Sequence, residues 1–524
     1  MTTKFNRRSI LAMGSSLMAA SVLFPRMGLA QGDRPSLRVG IAKLPAGLDP
    51  SMNISNTGQR ITASIYDKMI ARAYWEGEHG EGAELAPSIA TSWNQVEPTV
   101  WEVKLRKDVK FHDGTPMTAE DVAFSFGEER MWGEKRMLPA GVSYFGSISA
   151  VDVVDDETLH FTTKDVDPIF PARFTSPLGM VVPKKYFTEK GVDGFNLAPI
   201  ATGPYKLAEL RPDELIHLVS HDDYWGGAPP AKEITFREIP EEAGRITGLL
   251  NGELDLITDV SPDQVAALTN GGATVKSGLI DNTRVVVLNT LEAPMDDKNL
   301  RQALIWAIDR KAIVDALWQG QNVVPHDLNF PSHGADFLAD RPIPTYDPDK
   351  AKELLGKSKY KGETLTFRMQ GGYYANYEEV AQVLQQQWRD IGINVNIEIR
   401  DNFQQVTAKP VHMFAHSNGM QIVDITQPIS NLYGPQGIRT LPDAPAYSWN
   451  PPERFTELLH LMETTVDHDE RMKYFVEALD IFEDERPQIE LYQALEYYGL
   501  GQGIEWKPYA FWPMDFSANN LKFA

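Results

Sequence analysis

Two histidine-bearing stretches hold the side chains best suited to chemistry. In FHDGTPMTAEDVAFSF, residues 111–126, His112 stands beside Asp113 just ahead of an apolar helical run. An imidazole next to a carboxylate is raw material for a general base or a metal site. In VHMFAHSNG, His412 and His416 are four residues apart, so they share one face of a helix or a strand. Neither stretch reads as an active site. Asp113-Gly114 is a turn dipeptide, Thr118 with Asp121 three residues on forms a capping box, and Val122 and Phe126 share a helix face. Each residue of the first stretch therefore has a local structural role. The second lacks the H-E-x-x-H pattern of a zinc helix and reads as ordinary polar or partly buried histidines. The GKS at 356–358 ends a phosphate-loop pattern whose first glycine is replaced by Ala351, and no G-x-S-x-G elbow occurs. With no cysteine, thiol nucleophiles, Cys-type zinc sites and iron–sulfur clusters are excluded.

The elements around these residues follow two periods. Trp101, Val103 and Leu105 alternate with Glu102, Lys104 and Arg106, which predicts a half-buried strand, and LHFTT at 159–163 reads the same way. Strands are also expected from Leu37, after the ATGPYKL turn at 201–207, and at EITFREI. TLTFRM at 364–369 is a strand that leads through Gly371-Gly372-Tyr373 into a helix with Val380, Leu384, Trp388 and Ile391 on one face. INVNIEIR, with Ile393, Val395, Ile397 and Ile399 alternating, closes a βαβ unit whose strands should be parallel. Met472, Phe475, Leu479 and Phe482 mark a further amphipathic helix. The expected class is α/β in at least two lobes, with ligand at the carboxyl ends of strands.

A chain of 524 residues is too long for one core, so two or three domains are expected. Its 42% apolar and 23% charged content is that of an ordered globular protein. A net charge of −22 disfavours nucleic acid as a partner. At the N-terminus, Arg7-Arg8 precedes the apolar run ILAMGSSLMAASVLF and then Gly28-Leu29-Ala30, a small-x-small cleavage signal. The run is about 15 residues where a span needs roughly 20. It predicts a signal peptide over 1–30 of twin-arginine type, cleaved near Ala30, and a soluble exported protein.

FHDGTPMTAEDVAFSF resembles the signature of the extracellular solute-binding proteins of family 5, receptors of peptide, opine and nickel ABC transporters. The resemblance runs along the mature chain through LDP (48–50), LAPSIATSWN (85–94), ATGPYKL, DDYWGGAPPAKEITF, VVVLNTLEAPMDDKNLRQALIWAIDRKAIV and VAQVLQQQWRDIGINVNI. It implies a two-lobed, three-subdomain, hinged fold with a central cleft. Lobe I would comprise 31–283, with roughly 76–200 as its extra subdomain; lobe II would comprise 284–489, and 490–524 would return to lobe I. The implied function is capture of a small polar solute, foremost a peptide or amino-acid derivative, and its delivery to an ABC permease in the inner membrane. The receptor would act as a monomer without enzymatic activity or cofactor. Opine, oligosaccharide and metal-chelate receptors are the alternatives inside the class, and an exported hydrolase is the alternative outside it.

The resemblance also implies a site. QIVDITQP matches a lobe II segment whose aspartate pairs with a ligand ammonium, which puts Asp424 in that role. Gln421 stands where the family usually has tryptophan, and Gln427 where an acid is common, which suggests a more polar ligand. Further candidates by loop position are Tyr373 and Tyr374, Asn53 and Asn56, and His416, Asn418 and Trp449.

Overall fold

The alternating segments assemble into one ten-stranded mixed sheet in the computed structural model, which describes residues 34–51, 54–77 and 80–524. The expected signal peptide, residues 1–30, and Asn53 lie outside the described residues. Across the sheet the strands run Asn394–Arg400, Thr364–Gln370, Met413–Gly419, Thr274–Leu288, Gln488–Leu500, Leu256–Val260, Ser36–Ile41, Glu233–Glu238, Leu215–Ser220 and Tyr205–Arg211. Among the described residues no helix is long and apolar enough to cross a membrane.

The molecule is an α/β protein of two lobes that share this sheet. One lobe is built around the βαβ unit, in which Thr364–Gln370 and Asn394–Arg400 pair in parallel across the helix Tyr377–Asp390. That helix buries Val380, Leu384 and Trp388 completely against Phe367 and Leu304. Each such side chain stabilises the fold by roughly 1.5–3 kcal/mol. The alternation of the closing strand fades along its length, with Ile393 fully buried and Ile399 52% exposed. The strand lies at the edge of the sheet, and its far end outruns the helix that covers its start.

The other lobe packs Leu37, Val39 and Ile41 against Ile234, Phe236 and Leu256, and the C-terminal segment contributes Trp506, Phe516 and Leu521 to the same core. A second, four-stranded antiparallel sheet joins Ala90–Glu97, Val100–Leu105, Thr158–Thr163 and Ile148–Asp155. Its core is a nest of phenylalanines, 126, 145, 161, 170 and 174, with ring centroids of Phe126 and Phe174 4.9 Å apart.

Two long antiparallel strands, Thr274–Leu288 and Gln488–Leu500, pass from one lobe to the other. Their register slips between Leu279 and Thr283 and again between Arg284 and Val285, so the ladder is bulged near its middle. The boundary expected between residues 283 and 284 falls inside this continuous strand.

The 111–126 stretch is a brace. Thr118 Oγ1 accepts from Asp121 N at 3.3 Å, and Asp121 Oδ2 accepts from Thr118 N at 2.9 Å, closing the capping box of the helix Ala119–Ser125. Asp113 Oδ1 accepts from Thr115 N, and Gly114 takes the left-handed conformation (φ 86°) that the turn requires. Both nitrogens of His112 are engaged by backbone. Ala201 N donates to Nδ1 at 3.3 Å, and Nε2 lies 3.1 Å from Gly203 O. The ring also meets His221 edge-on at 5.2 Å. Burial, together with the neighbouring His221, drives the His112 pKa down to about 3, so the imidazole is neutral.

Candidate functional site

A cavity of about 760 Å³ opens between the two lobes, within the size range of small-ligand sites. From the first lobe come Asn56, at the start of a helix capped by Ser55, the Pro139–Tyr144 segment, and Trp512 of the C-terminal segment. From the second come Tyr373 and Tyr374 in the loop after Thr364–Gln370, His416 and Ser417 on the strand Met413–Gly419, Asn431 and Leu432 on the short helix Ile429–Tyr433, and Gln436 to Pro445 in the irregular stretch after it. The lining is largely apolar and aromatic, with Phe403, Val406, Leu432, Ile438 and Leu441 on the second lobe's side.

Contacts reach across the cavity. Asn431 Nδ2 donates to the Tyr144 hydroxyl at 3.3 Å, and Ser143 Oγ donates to Gln436 O at 3.3 Å. Ile422, from the second lobe's side, is buried in the phenylalanine core of the first. These bridges hold the lobes together around the space.

Two arginines stand directly behind the wall. Arg284 lies 4.2 Å from the ring centroid of Tyr374, a cation–π contact, and Tyr373 packs on Tyr374 at 4.7 Å. Arg284 is 4.0 Å from Glu496, which also takes bonds from Arg60 at 2.7 Å and Trp512 Nε1 at 2.9 Å. Arg60 pairs in turn with Asp259 at 2.8 Å. The Arg60 guanidinium outweighs burial and holds the Asp259 carboxyl down at about 2. This cluster of two guanidiniums and two carboxylates is internally balanced.

The second arginine is Arg439, 0% exposed, whose Nη2 lies 2.7 Å from His416 Nδ1. Its other partners, the Tyr433 hydroxyl and Gln488 Oε1, are neutral, and no carboxylate forms an ion pair with it among the described residues. Burial and then the Arg439 charge push the His416 pKa well below its ordinary value. A neutral imidazole that accepts from a guanidinium at Nδ1 carries its hydrogen on Nε2.

Of the residues expected from sequence, Asn56, Tyr373, Tyr374, His416 and Gln421 line this cavity. The buried Gln421 Oε1 has no hydrogen-bond partner among the described residues. Three others are placed differently and correct the expectation. Asp424 is off the wall, and both its carboxylate oxygens accept from Arg471 Nη2, at 2.8 and 2.9 Å. An internal guanidinium thus occupies the position expected of a ligand ammonium. Trp449 is 2% exposed, sealed among Tyr433, Phe455 and Phe482. Asn418, on the wall strand itself, is fully buried, and neither amide atom has a partner among the described residues. Residues missed from sequence are Pro139–Tyr144, the 431–445 stretch and Trp512, which lie in loops and in helices of five residues, too short to show a period; the aromatic run FWPMDF near the C-terminus was the one local signal.

The model of the bacterial extracellular solute-binding proteins, family 5 Middle, matches residues 84–440. The chain is 25% identical over 523 residues to the dipeptide-binding protein of Escherichia coli, covering 93% of this chain and 94% of that one. It is 28% identical over 390 residues to heme-binding protein A of Haemophilus influenzae, covering 68% of each chain. Among solved structures it resembles the ABC transporter-associated periplasmic binding protein DppA of Helicobacter pylori in complex with the peptide STSA. There the TM-score is 0.81 at 22% identity, over 93% of this chain and 98% of that one.

Proposed function

The chain belongs to the bacterial extracellular solute-binding proteins of family 5, and from that premise we propose that it is a periplasmic receptor of an ABC importer. It captures one small solute between its lobes and hands it to the membrane permease. It is exported by the Arg7-Arg8 signal, cleaved near Ala30, and acts as a monomer with no catalytic step of its own. The observation that carries this reading is the 760 Å³ cavity lined from both lobes and bridged by Tyr144 and Asn431.

Asn56, Tyr373, Tyr374, Gln421 and His416 are the residues proposed to touch the solute. Lobe I spans 31–283 and 490–524, lobe II spans 284–489, and closure bends the bulged strand pair between them. A peptide or amino-acid derivative is the first reading of the ligand. An opine, oligosaccharide or metal chelate is the second, and the pairing of Asp424 with Arg471 favours it, because the acid expected to greet a free amine is already engaged.

The test is a thermal-shift screen of the mature protein against peptides, opines, oligosaccharides and metal chelates, with small-angle scattering on every hit. A ligand that raises the melting temperature and contracts the particle supports the receptor. Cleavage of a chromogenic peptide with no stabilisation by any compound points instead to an exported hydrolase.

A further inference from the structure

The cavity wall is electrostatically lopsided. Among the described residues its one lining carboxylate, Asp443, is exposed at the rim. Behind the wall that carries His416 lies a group of buried charges in which cations outnumber anions. Arg486 pairs with Asp327 at 2.9 Å, Arg310 bonds the Glu490 carbonyl at 3.1 Å, and Arg439 has only neutral partners. Glu490, fully buried beside Asp327 and 3.9 Å from Arg486, is held above the usual carboxylate range by burial and then by Asp327; even ionised it leaves three guanidiniums facing two carboxylates. Arg439 Nε is itself a buried donor without a partner among the described residues. A buried guanidinium left without a counter-charge is costly, and its field reaches the cavity through one imidazole. The groups facing that imidazole are Arg439, Arg284, Phe403 and the Ser417 backbone, none of them anionic.

Building on the receptor reading, we infer that the solute carries a carboxylate and no free amine. The carboxylate accepts from His416 Nε2–H with Arg439 behind it, and an apolar body lies against Tyr373, Phe403 and Leu432. In the bound state the ligand supplies the negative charge that the Arg439 cluster lacks. The amide of Gln421 meets a neutral polar group of the ligand. An N-acylated amino acid or dipeptide, or an arylalkyl acid, has this chemistry; an unblocked peptide brings an ammonium for which the lining offers only the solvent-exposed Asp443 at the rim.

The test uses matched triads on shared apolar bodies: the unblocked amine with free acid, the N-acetylated acid, and the N-acetylated amide. Each is titrated calorimetrically into the mature full-length protein. The acetylated acids should bind at least about tenfold tighter than both companions, the worth of one charge-assisted hydrogen bond. Arg439→Gln should erase that preference and leave the amides within about twofold, while Arg439→Lys retains most of it. If Arg439→Gln does not fold, His416→Phe at the wall puts the same question. Tighter binding of unblocked peptides, or equal binding of acids and amides, overturns the inference and leaves the receptor standing. Failure of every triad to bind overturns the inference, while the receptor reading falls only if the thermal-shift screen also finds no ligand.

Discussion

His112 and His416 are both neutral imidazoles drawn from buried surroundings, yet they do opposite things. His112 has each ring nitrogen engaged by the backbone of residues 201–203, and its neighbour is another histidine. His416 has one nitrogen engaged by Arg439 and its ring at the edge of a cavity. The same side chain closes one site and leaves the other open. Satisfied valence marks structure, and a donor held at the edge of a cavity marks function. Asp424 and Trp449 fall on the closed side, the one saturated by Arg471 and the other by aromatic rings.

This contrast can be broken by substitution, because closed positions should cost stability and open ones affinity. The largest effect is expected at Trp449→Ala, which should lower unfolding free energy in urea by about 4 kcal/mol through an unfilled cavity. Asp424→Asn strands the Arg471 guanidinium and should cost about 3 kcal/mol, with ligand affinity unchanged. Loss of affinity without loss of stability would return Asp424 to the ligand site.

A smaller effect separates the histidines by pH. The folded His112 refuses a proton until about pH 3, whereas the unfolded imidazole takes one near 6.5. Stability is therefore fully present above 6.5 and drains as pH falls through that window, since the unfolded chain binds more protons there. Between pH 7 and 4.5 the native protein should lose up to about 2 kcal/mol more than His112→Gln; equal pH profiles for the two would rule out titration at His112. His221, also held low by burial, acts in the same direction. The smallest stability change belongs to His416→Gln, under about 1 kcal/mol, but that variant should bind acetylated acids at least about tenfold more weakly. A variant as destabilised as Trp449→Ala would make His416 a closed position too.

The sequence exposed those parts of the molecule whose causes are local. The capping box of Thr118 and Asp121 and the helix face of Val380, Leu384 and Trp388 follow from spacing alone. Ile399 shows the limit, since alternation marks a strand but cannot tell an edge from a centre. The site was less legible for the same reason. Asp424 in its motif looked free because Arg471, its partner, lies 47 residues on, in a separate helix. Tyr373 and Tyr374 were found through the βαβ loop, whereas Trp512 reaches the cavity only because the C-terminal segment folds back onto the first lobe. No periodicity encodes Arg439 behind His416; that pairing exists only after the strands have assembled.

The bulged ladder of Thr274–Leu288 and Gln488–Leu500 has a mechanical consequence. A bulge already holds an unpaired residue and a kink, so flexing there changes curvature without breaking rungs on either side. On that geometry the joint should flex like a leaf spring rather than snap like a latch. The energy that keeps the jaws shut then comes from the contacts made across them, Asn431 with Tyr144 and Ser143 with Gln436 among them, and from the cargo they enclose.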